Sequence, residues 1–579
     1  MRKFCASTWI SLSFALAFVA LTSVFSCAVL KLVSGGGEKQ VRAEPHPEQE
    51  RGPHVLIFAF DGVGSNQLMD AINSGGAPNM RTLLGKDLGD GVYQNAYWVP
   101  NAISILPSTT MAAWSAIFTG AGPAYNGVPG NEWFVREQMR FYAPAPVSIT
   151  DTDDTLKMIT EGLVGKSLKS PTLFQQVGLR SYVSLNPVYR GADIFTTVAP
   201  ADFVSLMGTF IQARVDDSPS VQQSLYAKLD RDSVPKLLDA IDKDGFPSIQ
   251  VVYFPGIDLY THLAANPLRD ETEYLEQVTD PLVEKIVDAY QEHGHLDHTY
   301  ILIIADHGHT PVLKDGTHAL GAKGDDTPAA LLSLVGFRTR KFVLEPEDSS
   351  QDYQAALAYQ GAMAYVYLAD RSTCPDKGDK CRWDQPPRFE EDVMPVARAF
   401  YRENMTGRPF PIRKGDLDLI FARRPVPRGQ NTLPYEIYDG RRLVPIAKYL
   451  VDHPRPDLLQ LDRRMRWLSA GPYGNRAGDV LLLAKSGLNR PMGDRFYFSA
   501  PYKSWHGSPS VQDSHIPLIV ARKNYSGSKF RILVERIAGE QPSQLDFVPI
   551  VRALLAQDEK LPERAEPARS QPSPLGAGR

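Results

Sequence analysis

The 579-residue chain has only four cysteines, no long run of one charge sign and no internal repeat. So few cysteines exclude a disulfide-stapled miniature scaffold, and the lack of repeats excludes a solenoid. Charge is nearly balanced, with 62 basic against 66 acidic residues and a net charge of −4. No strong attraction to nucleic acid or an anionic surface follows, and no nucleic-acid polymer is expected as a partner. Neither a G-x-S-x-G elbow nor an H-E-x-x-H pair occurs, which leaves serine-hydrolase and zincin readings without support. GLVGKS at 162–167 evokes a phosphate loop, but its two glycines stand too close together. The length suits two to four domains or one elaborated α/β unit.

One long uncharged apolar stretch is present, at the start. Arg2 and Lys3 precede Cys5 to Leu30, the pattern of a secretory signal or signal-anchor. The stretch exceeds the roughly 20 apolar residues that span a bilayer. The positive-inside rule keeps the basic start in the cytoplasm and exports everything downstream. Val24-Phe25-Ser26-Cys27 resembles a bacterial lipobox without its usual first Leu, so Cys27 is either a lipidated anchor or an apolar residue of the segment. Residues 1–33 are thus expected to be a signal peptide or membrane anchor, 34–53 a Gly- and Pro-rich tether, and 557–579 a disordered tail. The expected location is periplasmic or at the cell surface, membrane-attached or secreted after cleavage. Cys374 and Cys381 close the polar loop STCPDKGDKC, which in an exported chain reads as a disulfide. A metal site would need further Cys or His nearby, and none is there.

Three apolar runs each end in acidic or His residues. HVLIFAFDG ends at Asp61, SIQVVYFPGID at Asp258, and TYILIIADHGH at Asp306 and His307. None alternates, so each reads as a strand covered on both faces, as in a parallel sheet. Helical patterns at 170–178 and 278–294 lie between the runs. The alternation predicts an α/β fold, a mostly parallel central sheet flanked by helices. Ligand sites of open α/β sheets lie beyond the carboxyl ends of the strands, where all three clusters fall. Runs at 477–486 and 514–522 are expected to complete that sheet. Broken, Pro-rich sequence at 336–470 reads as an inserted cap subdomain, and a second cap-like stretch runs from about 135 to 245. The catalytic body is then 54–335 plus 471–556.

Carboxylate and imidazole are ligands for zinc and other divalent cations. Asp258 and His262 are one helical turn apart. Asp306 and His307 sit where a tight turn can aim both inward. Six or seven such ligands suit two metals, which can clamp the attacking and leaving oxygens of a phosphoryl displacement. Thr110 follows a loop and opens the helical MAAWSAIF, where helix-end N–H groups attract anions. From these residues alone, a plain helix cap by Ser108, Thr109 or Thr110 is the simpler account.

The segment resembles the nucleophile motif of type I phosphodiesterases and nucleotide pyrophosphatases, of the alkaline phosphatase superfamily. Pro107, Thr110, Thr119, Gly120, Pro123, Gly127 and Asn131 fall at the family's offsets, with Ser108 replacing a Thr and Asn126 a His. YFPGIDLYTH, IIADHGH and YKSWHGSPS resemble its three metal motifs, so the resemblance spans roughly 54–335 and 475–525. It implies an alkaline-phosphatase-like fold and a phosphodiesterase or nucleotide pyrophosphatase acting through a phospho-threonine at Thr110. It implies that Asn131 bonds a phosphoryl oxygen that gains charge. It places one metal on Asp258, His262 and His506, and a second on Asp61, Asp306 and His307 with the Thr110 oxygen near. Three His favour a pair of zinc ions. The substrate would be a small phosphoester, such as a nucleotide or another phosphodiester.

Two further enzymatic readings share this site. A phosphomonoesterase needs an extra cation for the extra charge, and Arg190 in YVSLNPVYRGAD could supply it, although Val188 stands at the partner Lys position. A head-group transferase would discharge the phospho-threonine to an alcohol. An inactive tethered binding protein predicts lost ligands, and all seven key positions are intact. His309 is expected close behind the ligands; His318 and His515 read as structural.

Overall fold

The computed structural model describes residues 53–145, 153–199, 201–203, 205–206, 223–321, 327–340 and 352–556. The apolar segment with Cys27, the tether up to residue 52 and the tail lie outside the described residues. Among these residues no helix is long and apolar enough to cross a membrane.

The three apolar runs form adjacent strands. Nine strands make the central sheet: β1 (His54–Phe60), β2 (Asp87–Gly89), β3 (Val92–Tyr93), β4 (Ala96–Trp98), β5 (Ser181–Ser184), β6 (Ile194–Thr196), β7 (Ile249–Phe254), β8 (Thr299–Ala305) and β9 (Leu518–Ala521). Their order is β2-β3-β4-β9-β8-β1-β7-β5-β6. The block from β8 to β6 is wholly parallel, while β9 and β3 run against the rest. Every residue of β1, β7 and β8 is buried, because helices cover both faces of the sheet. Gln223–Asp244, Asp280–Glu292, Gly527–Ala538 and Phe547–Leu555 share its hydrophobic core. In Asp280–Glu292, Leu282, Val283, Ile286 and Tyr290 recur at helical spacing on the buried face. The helix expected at 170–178 is a shorter Leu173–Val177, started by a Thr172–Gln175 capping box and stopped by left-handed Gly178.

Two expectations are corrected. The run at 477–486 does not join the central sheet. Its strand Val480–Ala484 lies in a six-stranded antiparallel sheet, between Met363–Leu368 and Leu417–Ala422. Ala355–Gln360, Glu436–Tyr438 and Leu443–Pro445 complete this second sheet. A continuous apolar run reports that both faces are covered, not which sheet covers them. Here Leu481 and Leu483 enter one core and Val480, Leu482 and Ala484 the other. The stretch read as cap-like from 135 to 245 also contributes β5 and β6 to the central sheet. These strands, four and three residues long, are too short for a period to register.

Candidate active site

Each strand end delivers its side chains by a local device. Asp61 follows β1, its N–H bonded to the Phe254 carbonyl of β7 at 3.3 Å. Gly62 then turns the chain at φ +68°, where a Cβ would sit 2.6 Å from His309 Nε2 and 2.7 Å from Asp258 Oδ1. Only glycine permits that approach. After β7, the short helix Gly256–Thr261 carries Asp258 in its first turn and His262 at its C-terminal end. The His262 N–H donates to the Asp258 carbonyl at 3.1 Å, which sets the two side chains one turn apart. After β8, Asp306 Oδ1 accepts from Gly62 N–H (2.9 Å) and His307 N–H (3.0 Å), fixing the turn. His506 arrives from a distant stretch, held where Ser504–Trp505 pairs with Thr310–Pro311.

The structure gathers these side chains into one buried cluster whose groupings match the expected second-metal set but pair His262 with His309, and His506 with His307, around Asp258. Asp61, Asp306 and His307 form one buried triad; Asp258, His307 and His506 a second; Asp258, His262 and His309 a third. Within each triad the donor atoms lie within 4.8 Å of one another. The His307 and His506 rings stack at 3.6 Å.

Unpartnered atoms test whether the cluster fits metal ions. Asp61 Oδ1, Asp306 Oδ2, His262 Nε2 and His506 Nε2 are buried without a hydrogen-bond partner. Each such atom costs about 1–3 kcal/mol, and all four belong to expected ligands. The other ring nitrogens are engaged: Nδ1 of His262 meets Ser504 O (2.9 Å), that of His506 meets Ser108 O (3.0 Å), and that of His307 meets Gly308 O (3.2 Å). A carbonyl only accepts, so Nδ1 holds the hydrogen and Nε2 presents a lone pair to a cation. Desolvation pushes His262, His307 and His506 well below the ordinary imidazole range, keeping them neutral as metal ligands must be. Burial, reinforced by neighbouring carboxylates, pushes Asp61 and Asp306 well above theirs, and burial raises Asp258 to about 8. A divalent cation would ionise such carboxylates. Oxygen and imidazole donors without thiolate suit zinc and other first-row divalent ions.

Thr110 is the first residue of the helix Thr110–Thr119, with Oγ1 3.2 Å from His307 Nε2. The hydroxyl therefore faces the cluster and does not cap the helix. Thr109 holds the cap position without a side-chain bond, and Ser108 Oγ is drawn into a network with Ser514 (3.1 Å) and Arg464 Nη2 (3.0 Å). Asn131 Oδ1 accepts from Met111 N–H (3.0 Å), so one of the helix's free donors is already taken. That bond ties Asn131 to the start of the helix that carries Thr110.

Arg190 does not join them. Its guanidinium donates to the carbonyls of Gly165 (3.0 Å), Leu168 (2.9 Å) and Ser170, and its Nε to Gln175 (3.1 Å). It ties a loop together, and Val188 is fully buried in the core. His318 pairs with Asp315 at 2.8 Å, and His515 bonds the Pro100 carbonyl at 2.7 Å. His309 links Asp258 (2.9 Å) to Ser504 (3.0 Å).

Two side chains at the site went unread in the sequence. Tyr253 Oη donates to Asp61 Oδ2; within an apolar strand it looked like one more core residue. Gln360 accepts the Asn131 N–H at 2.7 Å and comes from the second sheet, where no local pattern marks it. Thr110, Asp61 and Asp258 also border a cavity of about 550 Å³, its mouth included. Among the described residues that line it none is Lys or Arg. Elsewhere, Cys374 and Cys381 are joined as a disulfide.

The sequence profile of the type I phosphodiesterase / nucleotide pyrophosphatase family matches residues 55–358. No curated protein matches the chain. Among solved structures, the chain is similar to murine ectonucleotide pyrophosphatase / phosphodiesterase 5 at 12% identity and a TM-score of 0.48, over 88% of this chain and 97% of that one. The human counterpart gives 13%, 0.47, 88% and 96%. Phosphonoacetate hydrolase from Sinorhizobium meliloti 1021, in complex with phosphonoformate, gives 16%, 0.45, 87% and 96%. Since the family profile takes in more than half of the chain, and with it Thr110, Asn131 and every ligand candidate but His506, the chain belongs to the type I phosphodiesterase / nucleotide pyrophosphatase family and is a phosphoester hydrolase.

Proposed function

We propose that the protein hydrolyses phosphodiesters through a phosphorylated Thr110. The carrying observation is the charge of the cavity beside Thr110. A diester carries one negative charge and a monoester close to two. No described Lys or Arg lines the cavity, and the guanidinium of Arg190 is spent on carbonyls. Among the described lining residues, a monoester's second charge would find no cationic side chain.

In this reading metal one rests on Asp258, His262 and His506, and metal two on Asp61, Asp306 and His307, with zinc favoured by the His content. When bound, such ions withdraw charge from phosphoryl oxygens and ease ionisation of a nearby hydroxyl. Thr110 Oγ1 gives up its proton and forms a bond to phosphorus while the bond to the leaving ester oxygen breaks, and that oxygen departs with the electron pair and takes up a proton. Water then attacks phosphorus, the Oγ1–P bond breaks with its electron pair staying on Oγ1, and a proton from that water passes to Oγ1 to restore the hydroxyl. Asn131, oriented through its Oδ1 bond to Met111 N–H, donates Nδ2–H to the phosphoryl oxygen that gains charge. The Cys374–Cys381 disulfide fits an oxidising compartment, in keeping with export by the basic, apolar N-terminus and attachment to a membrane through it.

The test compares bis-p-nitrophenyl phosphate with p-nitrophenyl phosphate, in the full chain and in Thr110→Ala. The reading expects faster turnover of the diester and loss of both activities in the variant. A strong monoester preference, or full activity in Thr110→Ala, would overturn it.

A further inference from the structure

We infer that the cavity beside Thr110 takes an apolar ester arm, alkyl or simple aryl, and not a nucleoside. The inference rests on the phosphodiesterase reading and names its substrate class.

Asp61, Thr110 and Asp258 form the polar edge of the cavity. The rest of its described wall is carbon, including Met158, Ile159, Leu185, Phe203, Leu229 and Leu259. The Tyr253 hydroxyl donates its hydrogen to Asp61, so it has no proton left to offer a ligand. Beyond that polar edge, a ribose hydroxyl or a base edge would lose its bonds to water and find no donor or acceptor side chain among the described lining residues, a cost of roughly 1–3 kcal/mol per group. An alkyl chain loses nothing and gains by every methylene it buries.

The wall is also built with strain. Leu185, at the end of β5, holds φ +61°, a left-handed conformation that a branched apolar residue rarely adopts. Its backbone is pinned there by the Leu185 N–H bond to the Thr196 carbonyl (3.0 Å). Strain of this kind collects at ligand clamps, and here it sits in the apolar wall.

The experiment uses methyl p-nitrophenyl phosphate as reporter and alkyl methyl phosphates, from ethyl to octyl, as competitors. The inhibition constant should fall about threefold to fourfold for each added methylene until the cavity is full. Thymidine methyl phosphate should compete no better than the ethyl compound. Met158→Asp and Leu229→Asn alter different parts of the wall, and each should flatten the series. The ratio of octyl to ethyl is the readout, since loss of folded enzyme cancels from it. A flat series in the wild-type protein, or a nucleoside competitor tighter than octyl, would overturn the inference. If only monoesters are turned over, the same competitors against p-nitrophenyl phosphate still report the cavity, so a failed diesterase reading and a failed apolar arm give different results.

Discussion

At the scale of single residues, the site divides between side chains that end an apolar strand and side chains that meet them from afar. Asp61, Asp258, Asp306 and His307 were legible because a buried strand that stops at a carboxylate or imidazole is seldom a core motif. Thr110 was legible only through the offsets to Gly120 and Asn131, since a Thr at a helix start is ordinarily a cap. The structure leaves its hydroxyl 3.2 Å from His307 Nε2 instead. Thr110→Ala is therefore expected to lower kcat on a diester by about a thousandfold or more. Thr110→Ser, which keeps the hydroxyl, should recover much of it; equal losses in the two variants would show that the hydroxyl is not the nucleophile. Arg190 shows where motif reading fails: half a signature placed a cation whose guanidinium is consumed by three carbonyls. Arg190→Ala should leave the diester-to-monoester rate ratio unchanged and cost about 1–3 kcal/mol of stability, read by denaturant unfolding. A shift of that ratio by tenfold would return Arg190 to the site.

Among the elements, the second sheet is more than a lid. Its Ala355–Gln360 and Met363–Leu368 hairpin turns at Gly361 beside the site. Gln360 accepts the Asn131 N–H, and the Ala362 N–H donates to the His506 carbonyl at 2.9 Å. A Cβ on Gly507, at φ +107°, would lie 2.1 Å from the Gln360 carbonyl. One turn thus braces both Asn131 and His506, and no sequence period could reveal it, because the contact joins residues more than 140 positions apart. Gln360→Ala is expected to lower kcat about 10- to 100-fold with KM little changed, since it displaces a positioned donor and fills no pocket. A change confined to KM would place Gln360 in substrate binding. Packed against the same sheet, the helix Met394–Thr406 buries Glu403. Burial first, and then the charge of Asp416, raise that carboxyl to about 8. A carboxyl raised above its unfolded value of about 4.3 adds stability that is full below that pH and is lost as pH climbs through 8. Glu403→Gln should then be more stable than wild type at pH 9, by about 1–3 kcal/mol, with the gap closing toward pH 4. Thermal melts across that range check the sign; a gap that widens on acidification would contradict it.

For the molecule as a whole, the fold class was read from three runs, whereas the division of the chain between two sheets was not. β9 and Val480–Ala484 are equally apolar in sequence yet lie in different sheets. Such a choice depends on partners that only the assembled chain supplies. The same long-range assembly governs the metal cluster. Its donors come from the ends of β1, β7 and β8 and from the 504–506 stretch, and the backbone carbonyls of Ser108, Gly308 and Ser504 orient its imidazoles. Cations that bind there would bind the folded chain far better than the unfolded one, since no short segment holds a complete triad. At a hundredfold excess over Kd, one such ion adds about 2.7 kcal/mol to stability. Chelation should therefore abolish turnover, lower the melting midpoint, and raise amide hydrogen exchange at 256–264, 305–310 and 503–508. The Met363–Leu368 and Val480–Ala484 core of the second sheet should keep its protection, because its packing holds no ligand. Zinc added back should reverse all three changes together. Loss of turnover with no change in exchange at those segments would place the essential metal elsewhere, and exchange raised evenly through both sheets would mean that the chain unfolds as a single unit when the ions leave.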